Sequence, residues 1–247
     1  MAVTVVLRSD ADHRELEAGA TLIVGWSFVG FGLAGWARMP ASRVGPLLVA
    51  GGFAWLAGGL DESPVGLVFA AGELVRPLFI PLMVHALLGL PSGRLGLWLD
   101  RMVVGTLYAA VVLVGPARFL VSPEPNDECG DCARNPLAVV DNEALLELFF
   151  GIQQTAVALG VAATTLLLAR RWLLATRSGA RSRGPALAAA LAAVTYFAAL
   201  FGEVVIDPSD AEEIVLIVVQ IATAAAIPAL ALVALSRARD GSASAPA

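Results

Sequence analysis

The sequence predicts an all-α fold: a polytopic transmembrane helical bundle of about seven spans, N-terminus outside and C-terminus cytoplasmic. Three observations carry this expectation. The 247 residues are 58% hydrophobic and 15% charged, with a mean hydropathy of +0.78, more apolar than the core of a soluble domain requires. The apolar residues gather into seven runs near the roughly 20 residues that cross about 30 Å of hydrocarbon. Finally, the basic residues, all 16 of them arginine, concentrate in alternate connections.

The elements follow in order. Residues 1–18 form a short polar leader without the apolar core and small-residue exit of a cleavable signal. The membrane domain, 19–236, holds spans at about 19–37, 44–60, 65–90, 102–121, 146–169, 185–206 and 214–235. Residues 237–247, ending DGSASAPA, read as a short disordered cytoplasmic tail. Runs this long and unalternating do not suit barrel strands, and irregular backbone cannot sit exposed in lipid, so helices are required.

Orientation comes from the loops. Arg38 and Arg43, Arg94 and Arg101, the group Arg170, Arg171, Arg177, Arg181 and Arg183, and Arg237 with Arg239 occupy one set of connections. Asp61, Glu62, the acid-rich stretch 122–145 and Asp207, Asp210, Glu212 and Glu213 occupy the other. The positive-inside rule puts the first set in the cytoplasm. No basic stripe remains for nucleic acid.

Ionisable and amide residues inside spans are costly and mark sites to examine. Glu73 and Arg76 lie three apart on the third span and can pair. Pro77 and Pro81 follow them and should kink that helix. Gln153, Gln154, Glu203 and Gln220 fall in the same outer half of the fifth, sixth and seventh spans. Two readings stand: interhelical hydrogen-bonding glue, or an outward-open pocket for a small ligand. An ion or proton path is a third. His85, near the inner end of the third span, reads as a packing residue or a pH switch.

Cys129 and Cys132 form a C-x-x-C in the acidic outer loop PNDECGDCARNP. A small loop disulfide, a redox pair and a soft-metal site are the alternatives, although a closed zinc site wants four ligands. No cofactor is implied. A phosphate-binding loop, a Gly-x-Ser-x-Gly and a His-Glu-x-x-His are all missing from the sequence, so no catalytic residue is proposed.

The third span exits through HALLGLPSGRLGL. Pro91 cannot continue the helix, Ser92 and Gly93 permit a sharp turn, and Arg94 and Arg101 face the lipid headgroups. With its His85, Pro91, Ser92, Gly93 and Arg94, this stretch resembles a His-(apolar)-Pro-Ser-Gly-Arg-Leu signature in the membrane-embedded N-terminal half of bacterial sensor histidine kinases common in actinobacteria. GWSFVGFGLAGWARMPASRVGPLLVAGGFAW, CGDCARNPLAV and RRWLLATRSGARSRGPALA are similar as well, so the resemblance covers about residues 19–236. It implies a signal-input domain in the bacterial cytoplasmic membrane that, in the family, feeds a phosphoacceptor helix pair and an ATP-binding domain. Neither His13 in the leader nor His85 within a span suits a phosphoacceptor, and no glycine-rich ATP lid is present. The expectation is therefore a sensing domain that is not itself an enzyme. It would act through a cytoplasmic kinase or regulator, by its inner loops or by contacts in a homodimer, with the lipid bilayer as its other partner. A small transporter or permease is the alternative, resting on Glu73, Arg76 and Glu203; without detectable repeats it has less support.

Overall fold

The computed structural model describes residues 10–60, 63–123, 135–177, 184–206 and 210–243. Among them the regular elements are helical, with no strand. In chain order they are α1 (Asp10–Arg38), α2 (Val44–Ala57), α3 (Gly66–Val75), α4 (Phe79–Gly89), α5 (Trp98–Ala109), α6 (Gly115–Leu120), α7 (Glu143–Arg177), α8 (Gly184–Ile206) and α9 (Asp210–Ala243). Five helical stretches are long and apolar enough to cross a membrane: Gly19–Arg38, Gly66–Gly89, Trp98–Leu120, Glu143–Arg171 and Val215–Arg237. Two more apolar stretches, Val44–Leu60 and Ala188–Ala199, are shorter.

The helices stand in a ring in chain order. α1 packs on α2, α2 on α4, α5 and α6 on α7, α7 on α8 and α8 on α9, and α9 closes the ring against α1. α4 also touches α7 and α8, so the third segment lies nearest the centre. Its core-facing residues include Phe79, Met83, Val84, Leu87 and Leu88, all nearly or fully buried. Phe79 is the hub of an aromatic cluster. Its ring centroid lies 5.1 Å from Phe28, 4.7 Å from Trp55 and 6.4 Å from Tyr196, each in an edge-to-face arrangement, the geometry that the ring quadrupoles favour.

Glycine sets the approach of α1 to α2. A Cβ on Gly32 would stand 2.9 Å from the Val49 nitrogen and 3.0 Å from the Gly45 oxygen; one on Gly52 would stand 2.8 Å from the Gly25 oxygen. The backbones are in contact, as small residues allow between helices that hydrophobic burial alone would not hold together in lipid.

Proline interrupts the third and fourth segments at matching depth. Between α3 and α4 the chain tightens into a 3-10 turn, Arg76–Leu78. Pro77 brings no N–H, and Pro81 removes the donor that an α-helix would return to residue 77. Between α5 and α6 it widens into a π-helical segment, Ala110–Val114, just where the Pro116 ring would collide with the carbonyl of residue 112. The tightened turn and the widened segment pack against each other.

Several helix ends differ from the sequence expectation; α7, for one, runs to Arg177, eight residues past its expected end. α5 begins at Trp98 rather than about residue 102, because the Asp100 side chain turns back to accept the Leu97 N–H at 3.2 Å. α1 begins at Asp10, inside the expected leader. α9 runs to Ala243, through much of the expected disordered tail, since nothing between Ser236 and Asp240 breaks a helix.

Candidate functional site

Two polar clusters bracket the third and fourth segments. One lies toward the acidic end, where α3 starts, α6 finishes and α7 begins. The other lies at the arginine end.

At the acidic end, Arg118 Nη2 donates to Glu73 Oε2 at 3.3 Å, and the two side chains are only 14% and 10% exposed. The guanidinium carbon also stands 5.8 Å from the centroid of the Phe150 ring on α7, within cation-π range. This Arg118 was not singled out in the sequence, although it obeys the same rule as Glu73: a charge inside an apolar run. Arg76, the expected partner, opens the 3-10 turn and lays its stem against α2, where a Cβ on Gly58 would meet its Cδ at 3.1 Å.

Among the described residues two buried atoms are left open here: Arg118 Nε, a donor of the cluster, and Gln153 Oε1, an acceptor on α7, have no hydrogen-bond partner. Gln153 lies one turn along α7 from Phe150, the ring that Arg118 faces. Buried polar atoms are ordinarily paired, and a donor and an acceptor left open invite a bridging polar molecule. Of the other residues expected at this depth, Gln154 is exposed on α7 and Gln220 is partly buried on α9. The Glu203 side chain, like Cys129 and Cys132, lies outside what the structure describes.

Just beyond this cluster the chain returns from the acidic stretch 122–145. Asn135 Nδ2 donates to the Phe119 oxygen at 2.6 Å and the Ser122 oxygen at 2.8 Å, while its Oδ1 accepts the Leu137 N–H at 3.0 Å. One buried amide thus satisfies carbonyls freed at the end of α6.

At the arginine end, the turn after α4 docks on the connection between α1 and α2. Ser42 Oγ donates to the Pro91 oxygen at 2.7 Å, and the Arg43 N–H to the Ser92 oxygen at 3.1 Å. Ser92 Oγ accepts the Arg94 N–H at 3.2 Å. Gly93 has φ of +72°, and a Cβ there would lie 2.7 Å from Arg43 Cβ and 2.8 Å from the Val44 nitrogen. Glycine is required twice, by conformation and by space. His85, one turn before the end of α4, is half-buried and stands edge-on to Tyr108, with centroids 6.2 Å apart and Nδ1 buried without a hydrogen-bond partner.

Beside that turn Arg171, from α7, donates Nη1 to the Leu88 oxygen at 2.7 Å and Nη2 to Asp100 Oδ2 at 2.5 Å. Asp100 is fully buried and Arg171 is one-third exposed. The sequence pattern sets Arg171 only in a basic connection and marks nothing at Asp100. Their adjacency depends on the tertiary meeting of α5 and α7, which no local pattern signals. Compared with family models, curated proteins and solved structures, the chain matches none.

Proposed function

We propose that this chain is a membrane signal-input domain of the kind the His85 to Arg94 stretch resembles. In this reading a stimulus acts on the Glu73–Arg118 cluster, alters the packing of the third and fourth spans, and repositions the turn at residues 90–97. A separate cytoplasmic kinase or regulator reads that turn, with the arginine end on the cytoplasmic face.

The observation that supports this reading is where the buried pair sits. It bridges two helices beside the 3-10 turn of one and the π-helical segment of the other, with the Arg118 Nε donor still open and an open acceptor, Gln153 Oε1, one turn along α7 from the Phe150 ring. Irregular turns of both kinds often mark functional positions in helices. A polar stimulus that took up those two atoms would act on the joint between the spans, and a change of packing there is carried along two stiff helices.

The test is a distance measurement at the far end. Spin labels are placed at the exposed positions Arg94 and Arg170, with Cys129 and Cys132 replaced by serine, and the protein is reconstituted in bilayers. Arg118→Gln should shift the distance between the labels relative to the parent protein. An unchanged distribution, with the variant folded, overturns the coupling. Flux of a solute through proteoliposomes that depends on Glu73 would instead support the transporter reading.

A further inference from the structure

Between α5 and the first two-thirds of α7 the surface of the bundle stays open. A cavity of about 770 Å³ lies there, walled by Met102, Val103 and Thr106 on one side and Ile152, Thr155 and Leu159 on the other. Gly151 leaves the trough wide, since a Cβ on it would meet nothing within 4 Å. Glu147 closes one end.

The depth of Glu147 follows from helical rise. The apolar stretch Glu143–Arg171 has its midpoint at residue 157, ten residues from Glu147, or about 15 Å at 1.5 Å each. That is half the thickness of a bilayer's hydrocarbon core, so in the spanning orientation the carboxylate sits at the boundary between acyl chains and headgroups. From Glu147 to Ala163, the last α7 residue of the lining, the trough runs about 24 Å by the same rise.

Glu147 is exposed and, among the described residues, has no hydrogen-bond or ion-pair partner. Glu143, one turn earlier on the same face, and Asp141 are exposed as well. Of the arginines described at this end, Arg118 is already held by Glu73, and Arg76 lays its stem on Gly58. A cation for Glu147 must then come from outside these residues. A second copy of the chain is a poor source, because copies inserted in one orientation present acid to acid at this depth.

We propose that the groove binds one aminophospholipid, its acyl chain in the trough and its primary ammonium donating to the Glu147 carboxylate. The inference goes beyond the sensing role and rests only on the bundle spanning a bilayer. An ethanolamine headgroup offers both charge and N–H donors. Choline offers charge alone, and an anionic glycerol headgroup meets repulsion.

The test is native mass spectrometry of the full chain in detergent, titrated separately with phosphatidylethanolamine, phosphatidylcholine and phosphatidylglycerol. Phosphatidylethanolamine should be held about tenfold more tightly than phosphatidylglycerol, and Glu147→Gln should abolish that preference. Gly151→Leu fills the trough without meeting packed atoms and should weaken retention of every lipid at the site. Equal binding of the three lipids, a preference that survives Glu147→Gln, or retention indifferent to Gly151→Leu overturns the proposal. So does a dimer that Gly151→Leu dissociates while lipid binding stays unchanged. Extraction of the chain without detergent would refute the spanning orientation itself, an outcome distinct from a loss of lipid selectivity.

Discussion

Replacing Arg171 by leucine should destabilise the bundle far more than replacing Asp100 by asparagine, although each removes the same ion pair. Asp100 is fully buried, and its Oδ2 takes N–H donors from Arg171 and Leu97. Its Oδ1 has no partner. Without the guanidinium, a carboxylate is stranded out of water, and breaking a buried pair from one side costs about 3–5 kcal/mol. Loss of the bond from Arg171 to the Leu88 oxygen adds about 1 kcal/mol. In Asp100→Asn the arginine, one-third exposed, turns toward water, and an amide oxygen still accepts the Leu97 N–H. The loss there is mainly charge assistance, about 1–2 kcal/mol. The two variants should thus differ by about 2–5 kcal/mol, and the double variant should recover part of the Arg171→Leu loss. Unfolding of purified protein by sodium dodecyl sulfate in mixed micelles, followed by helical circular dichroism, measures all three. Equal losses from the single variants would refute the view that desolvation of Asp100 sets the scale.

Gly93→Ala should cost about 2–4 kcal/mol in the same assay, from about 1–2 kcal/mol for the left-handed backbone and the remainder from the clash with Arg43 and Val44. Gly96→Ala three residues later, where a Cβ meets nothing within 4 Å, should change stability by under about 0.5 kcal/mol. Gly52→Ala should lower the thermal midpoint by pushing the α1 and α2 backbones apart, a loss of about 1–3 kcal/mol. Gly105→Ala, on an open face of α5, should raise the midpoint, a gain in stability of up to about 1 kcal/mol through helix propensity.

How much of this was legible depends on whether the determinant is local. Hydropathy is local, and the runs at 65–90 and 185–206 reappear as Gly66–Gly89 and Gly184–Ile206. Helix ends beyond the apolar region were not legible from hydropathy, because hydropathy marks contact with lipid and not the hydrogen-bond ladder. α9 therefore continues past Arg237 and Arg239. Proline effects were half legible: Pro77 and Pro81 signalled a kink, but Pro116 and the π-helical segment before it passed unmarked. Ion partners were least legible. The i, i+3 rule pointed Glu73 to Arg76, yet that rule assumes an α-helix, and the helix becomes 3-10 at Arg76. The partner shown, Arg118, lies 45 residues away, and only the meeting of two helices brings it there.

The two ion pairs differ in what they can do for the fold. Each costs desolvation that its Coulomb attraction roughly offsets, so neither is a large source of net stability. What each supplies is a penalty for the wrong arrangement. Rotating α6 against α3 would part Arg118 from Glu73 within a largely buried site, and sliding α7 along α5 would strand Asp100. Apolar faces of leucine, valine and alanine tolerate such shifts, because one greasy contact replaces another at little cost. The charges do not. Register is thus held at both ends of the third and fourth segments by these two pairs. Between those ends the helices are joined mainly by apolar packing around Phe79 and Leu107. A perturbation that released one pair would free rotation about that apolar centre while the other pair remained as a pivot.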